Sequence, residues 1–262
     1  MNSLLRLAAM HAEETSRLLA SAPEIPLPRL VLALIPVGVV LMILNAWSIG
    51  VKTSMKAVVR MFLQLLALGY LLRHVFDADS PVLVVAVLAI MLLVASWISL
   101  RIAVSRRKQL VPKVLLAIIV GGGSTLVVIT QVVLQLDPWY LPQTMIPLAG
   151  MIFSNCMNAI SLAIERFHSE RDREVDVATA RRTAMEASLI PITNSLFAVG
   201  LVSIPGMMTG QVLQGADARI AAQYQIMVMC MMFGSAGIST ALSLHLVSKD
   251  KSPIQATDKE TE

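Results

Sequence analysis

The chain reads as an all-α polytopic integral membrane protein of about seven transmembrane helices, its N-terminus outside and its C-terminus cytoplasmic. Three observations carry this. Of 262 residues, 56% are hydrophobic and 15% charged, too little charge to cover a soluble domain. Seven apolar stretches approach the roughly 20 residues that a helix needs to cross a hydrocarbon core. Lys and Arg crowd into every second connection, the bias that sets orientation in a bilayer. The net charge of +4 is therefore a topology signal and not a mark of nucleic-acid binding.

The first element is a segment over 4–19, where Arg6, Glu13, Glu14 and Arg17 interrupt apolar residues. It predicts a helix lying on the lipid surface. Pro23, Pro26 and Pro28 stiffen the entry to the membrane. The apolar part of 1–10 is too short for a cleavable signal peptide and is broken by Arg6. Residues 1–29 are thus expected to form a surface helix and linker, 30–247 a transmembrane domain, and 248–262 a polar, disordered cytoplasmic tail.

Within that domain, spans are expected at 30–50, 81–100, 114–136, 141–164 and 220–247. A marginal span at 187–204 begins earlier, near Ala184. A short one lies between 56 and 76, fully apolar only over 61–72, where Arg60 and Arg73 can snorkel to opposite interfaces. Lys52, Lys56 and Arg60 follow the first span. Arg101, Arg106, Arg107, Lys108 and Lys113 follow the third. Arg166, Arg171, Arg173, Arg181 and Arg182 follow the fifth, and Lys249, Lys251 and Lys259 the last. The connections 74–80 and 137–140 hold no Lys or Arg. Omitting the short second span would break the alternation.

The most informative stretch is 200–211. Pro205 lacks an N–H and Gly206 adopts positive φ at little cost, so the pair ends the sixth helix. Backbone freed at membrane depth must be buried in protein or line a watery cavity. Met207 and Met208 keep the segment apolar, while Thr209 and Gln211 add hydrogen-bonding groups. Gly206 and Gly210, four apart, would permit close backbone approach. Pro205–Gln211 is thus either a re-entrant or gate segment of the outer mouth, or a surface turn packed on the last helix.

Other polar groups sit inside the apolar stretches. Asn155, Asn158 and Glu165 share one face of the fifth helix, with Ser161 beside them. They can bond neighbouring helices or wall a cation path. Arg60 and Gln64 are spaced i, i+4 on the second helix, and Gln64 lies deeper. Gly121, Gly122 and Gly123 permit close helix packing or a local distortion. Cys156 and Cys230 lie in apolar surroundings and read as two packed free thiols. Met207, Met208, Met227, Met229, Met231 and Met232 cluster near the last break. They fill packing gaps or, as thioethers, bind a soft metal. The charged run 165–185 suits one or two short amphipathic cytoplasmic helices that dock a soluble partner, or a solvated loop. No phosphate loop, zinc signature or nucleophile elbow is present in the sequence.

Gly150-Met151-Ile152, Asn155, Met157-Asn158-Ala159, 200–211 and Tyr224-Gln225-Ile226 resemble the FetB-type ABC transporter permease family. Arg60-x-x-x-Gln64 with Gly69-Tyr70 also fits its pattern. That family includes a bacterial iron-export permease and the plant aluminium-sensitive transporters. The resemblance implies an inner-membrane permease, two copies working with two separate ATPase subunits and no cofactor of its own. The cargo would be a metal ion such as iron. With the polar and charged positions read above, the expected path holds Gln64, Asn155, Asn158, Glu165 and Pro205–Gln211, and the expected ATPase coupling residues are Arg171, Arg173, Glu174, Arg181 and Arg182. One departure is a short cytoplasmic connection before the sixth helix that lacks Gly and Pro. The alternatives are a self-sufficient secondary transporter or channel for a cation or small solute and, behind it, an intramembrane enzyme. A carboxylate deep in a helix would favour the secondary transporter. Glu165 stands at a helix end, and Asp77, Asp79, Asp137 and Asp217 stand in connections.

Overall fold

The computed structural model describes residues 26–77, 80–101, 103 and 107–249. The surface helix expected over 4–19 and the tail from 250 onward lie outside these. Among the described residues all regular structure is helical, apart from one isolated bridge between Val199 and Ser203. The helices are α1 (Leu27–Leu32), α2 (Ile35–Ala46), α3 (Val51–Asp77) and α4 (Pro81–Ser99). Then come α5 (Arg107–Val133), α6 (Pro142–Asp172), α7 (Val177–Ala198), α8 (Gly206–Leu213) and α9 (Ala218–Ser248).

Among the described residues, six helical stretches are long and apolar enough to cross a membrane: Pro28–Ala46, Val51–Leu71, Pro81–Ser99, α5, α6 and α9. The first is interrupted between α1 and α2. There Pro36 has no N–H to give, and its ring crowds the carbonyl of Leu32. The α3 helix starts earlier than 56, so Lys52, Lys56 and Arg60 lie along its first turns and not in a loop.

The sixth expected span differs most. Its helix, α7, begins at Val177 and so includes Arg181, Arg182 and Glu186 in its first turns. It stops at Ala198, well before Pro205, because Gly200 takes φ +81° and closes a tight turn. The apolar stretch is thereby divided between the second half of α7, the turn and α8.

The chain divides into two compact units. One holds α1, α2 and α3, with residues 213–215; the other holds the remainder. In the first, α2 buries no residue. In the second, α6 is the centre and packs against α4, α7 and α9, while α9 also packs on α5. The packed positions are rich in small residues: Ala149, Ala163, Ala180, Ala184, Ser235 and Ser239 are fully buried. Lipid tails are as apolar as Leu, so helices in a bilayer gain by close approach more than by burying bulk.

The closest approach is at the glycine run. A Cβ on Gly121 would collide with Ser239 Oγ and meet its backbone N at 2.6 Å. One on Gly122 would meet Ile152 at 3.1 Å. The run also distorts α5, which is π-helical over Ile119–Gly123 and again over Val128–Val133. The local distortion therefore runs through all three glycines, whereas close packing holds for Gly121 and Gly122 and not for Gly123, which nothing approaches within 4 Å. Thr125 Oγ1 donates to Gly121 O at 2.7 Å and Thr130 Oγ1 to Leu126 O at 2.9 Å. A hydroxyl occupying an i−4 carbonyl loosens the helical ladder there.

Candidate functional site: two cavities beside a broken helix

The α7–α8 turn satisfies itself. Val199 N donates to Ser195 O at 3.0 Å and Gly200 N to Ser203 O at 2.9 Å. Ala198 O accepts from the amides of Leu201, Val202 and Ser203 at 3.2, 2.8 and 3.2 Å. All five amides from 199 to 203 are thus bonded within the turn, as a low-dielectric setting requires. Its tip is apolar: Leu201, Val202 and Ile204 are all exposed. Pro205 then opens α8, and its carbonyl accepts both Thr209 N at 3.0 Å and Thr209 Oγ1 at 3.1 Å.

The α8 helix places its two methionines in different cavities. Met207 and Gln211, spaced i, i+4, line a cavity of about 340 Å³ with Thr144, Met151, Tyr224 and Met227 from α6 and α9. Met208 and Pro205 line a more apolar cavity of about 540 Å³ with Gly200, Gln225, Met229 and Cys230. Each cavity has one glutamine whose Oε1 is buried without a hydrogen-bond partner among the described residues, Gln211 in the first and Gln225 in the second. An orphaned buried acceptor is costly and marks a place where a ligand or water completes the bonding.

The expected site residues divide accordingly. Pro205, Met207, Met208 and Gln211 come to the cavities, whereas Thr209 is exposed and bonds back to its own helix. Neither Gly206 nor Gly210 is approached within 4 Å at its Cβ position, so the close contact expected there is instead made at Gly121 and Gly122. Asn155 Nδ2 donates to Met232 O on α9 at 2.6 Å, the interhelical bond that was one of its two readings. It stands one turn from Met151 on the same face. Asn158 and Glu165 are exposed farther along α6, and Gln64 is exposed on α3 in the other unit. Cys156 is buried and accepts from Ser239 Oγ at 3.3 Å. Cys230 is exposed on α9, so of the two cysteines only Cys156 is packed.

Met151, Thr144, Tyr224 and Gln225 are site residues that sequence reasoning misses, and Met227 stands out there only within the methionine cluster. Met227 and Tyr224 are i, i+3 partners on one face of α9. That spacing was legible, but nothing local says which helix the face meets.

The charged segment 165–185 is not a pair of short helices. It is the meeting of α6 and α7, two long helices separated only by residues 173–176. At the elbow Glu170 is buried between Arg166 at 2.6 Å and Arg173 at 4.0 Å. Arg171 donates to Val175 O, and Glu174 takes φ 63°, so the chain reverses without glycine. Asp176 caps α7, accepting from Ala178 N at 2.9 Å and Thr179 N at 3.1 Å. Arg182 pairs with Glu186 at 3.0 Å, while Arg181 is half-buried.

Comparison with known proteins places this arrangement. Residues 27–251 match the family model described as "Uncharacterised protein family (UPF0014)". The chain is 40% identical over 196 residues to the "UPF0014 membrane protein slr1647" of Synechocystis sp., covering 69% of this chain and 76% of that protein. It is 32% identical over 219 residues to the Escherichia coli (strain K12) protein named "Probable iron export permease protein FetB", covering 76% and 78%. To the "Protein ALUMINUM SENSITIVE 3" of Arabidopsis thaliana it is 29% identical over 207 residues, covering 72% and 74%. No solved structure matches it.

Proposed function

The chain belongs to the UPF0014 family of membrane proteins, and from that premise we propose that it is the permease subunit of an ABC-type transporter. It exports a metal ion with energy from a separate ATPase subunit, as a homodimer in the inner (plasma) membrane. The observation that carries this reading is the similarity to FetB along most of both chains. Two features of the fold support it. The turn and α8 bring the Met207 and Gln211 side chains to a partly polar cavity, a place where side-chain groups can meet a cargo. A helical elbow supplies a docking point: α6, at 31 residues, is about 46 Å long against a hydrocarbon core of about 30 Å. Its charged end therefore stands outside the lipid, where a soluble subunit can reach Arg171, Arg173, Glu174, Arg181 and Arg182.

The test is co-purification with a candidate ABC ATPase subunit, followed by ATP hydrolysis across a panel of metal ions. The expected result is a stable complex whose hydrolysis rises with a metal. Exchanging Arg181 and Arg182 for Glu should leave the permease inserted but lower the stimulated rate about tenfold, because complementary charge sets docking register. No complex with the ATPase, or an unchanged rate in the double variant, would count against the reading and its docking element respectively.

A further inference from the structure

We propose that the smaller cavity, between α6, α8 and α9, binds a soft monovalent d10 cation, Cu(I) or Ag(I), through the thioethers of Met151, Met207 and Met227, with Gln211 Oε1 as a further acceptor. Three methionines from three helices line one cavity of about 340 Å³. All three are partly buried beside the core, so each faces the cavity while its stem is held by packing. Gln211 adds an amide oxygen that is buried and has no hydrogen-bond partner among the described residues.

The donor set selects the class of ion. Hard divalent cations are held by carboxylates, carbonyls and water; thioethers favour Cu(I). No carboxylate, histidine or cysteine lines this cavity. Among the described residues no group of three His, Cys, Asp or Glu is placed to hold a metal. Charge points the same way. The cost of taking an ion out of water rises with the square of its charge, so a divalent ion costs about four times a monovalent ion of equal size. Neutral donors can offset the smaller penalty more readily than the larger. Packing alone accounts for methionines that fill a gap, but not for three that border an opening together with an orphaned amide oxygen.

The inference rests on the permease reading only in making this ion the cargo; binding by the isolated chain does not depend on it. The experiment is calorimetric titration of the full chain in detergent with Ag(I), the redox-inert stand-in, alongside NMR of 13C-methyl methionine. One equivalent should bind, shifting the methyl signals of Met151, Met207 and Met227. Met207→Leu with Met227→Leu should weaken binding at least tenfold, whereas Met42→Leu with Met61→Leu, both exposed in the other unit, should not. Met227→Leu alone, with weakened binding and the two other methyl shifts retained, guards against a folding defect in the double variant. Equal Ag(I) affinity in wild type and the double variant, or shifts confined to other methionines, would overturn the site. A thioether-dependent site with no ATPase engagement would leave the site standing and remove the permease reading. Metal-stimulated hydrolysis that survives the double variant would do the reverse.

Discussion

At the scale of single residues, Gly121 and Gly206 show how far chemistry type and role can part. Both are glycines in apolar sequence, Gly121 beside Gly122 and Gly206 between Pro205 and Met207. Only Gly121 has a neighbour, and that neighbour includes the Ser239 backbone at 2.6 Å, which cannot move aside without shifting α9. Gly121→Ala should therefore lower stability by about 1–3 kcal/mol, the usual range for overpacking. It should appear as a lower unfolding midpoint in detergent. Gly206→Ala and Gly210→Ala meet nothing within 4 Å and should leave that midpoint in place. A tolerated Gly121→Ala would mean that α5 and α9 do not approach as described.

At the scale of elements, the α6–α7 elbow is built from ordinary parts: a buried carboxylate between two arginines, a residue at positive φ and an aspartate cap. The Thr179 hydroxyl, then the Thr179 and Ala178 amides, hold the Asp176 carboxyl below the usual carboxylate range. A depressed folded value means that the cap's contribution is present above the unfolded carboxylate pKa. It is lost as pH falls through the lower folded value. The first turn of α7 should loosen at acid pH, read from the Ala178 and Thr179 amide signals. Asp176→Asn, which can cap without titrating, should keep the turn and abolish the acid step. Asp176→Ala should loosen the turn at every pH. An acid step that persists in the Asn variant would place its cause elsewhere.

At the scale of the whole molecule, topology turns on α7 and α8. The alternation of basic connections calls for an odd number of crossings, yet among the described residues six stretches meet the length and composition of a span. The remaining crossing would have to be made by the apolar half of α7, the turn and α8 together. We expect tags at residue 262 and within 101–113 on the cytoplasmic side and a tag at Met1 outside, measured by reagent accessibility in spheroplasts. Both ends on one side would mean that α7 and α8 enter and leave by the same face as a re-entrant pair.

The sequence by itself determined the membrane class, the approximate places of the spans other than the sixth, and the position of the charged elbow. These depend on the length of apolar runs and the placement of charge, properties written locally along the chain. It also singled out 200–211, since Gly and Pro act on the backbone wherever they stand. The tertiary structure decided which polar groups meet. It set Met207 and Met208 in different cavities and joined Asn155 to α9. It left Asn158 and Cys230 exposed and chose Gly121 over Gly206 for close contact. The physical reason is the uniformity of these helices. Where nearly every face is apolar, periodicity no longer tells an inward face from an outward one. Only the fit of one helix against another makes that distinction.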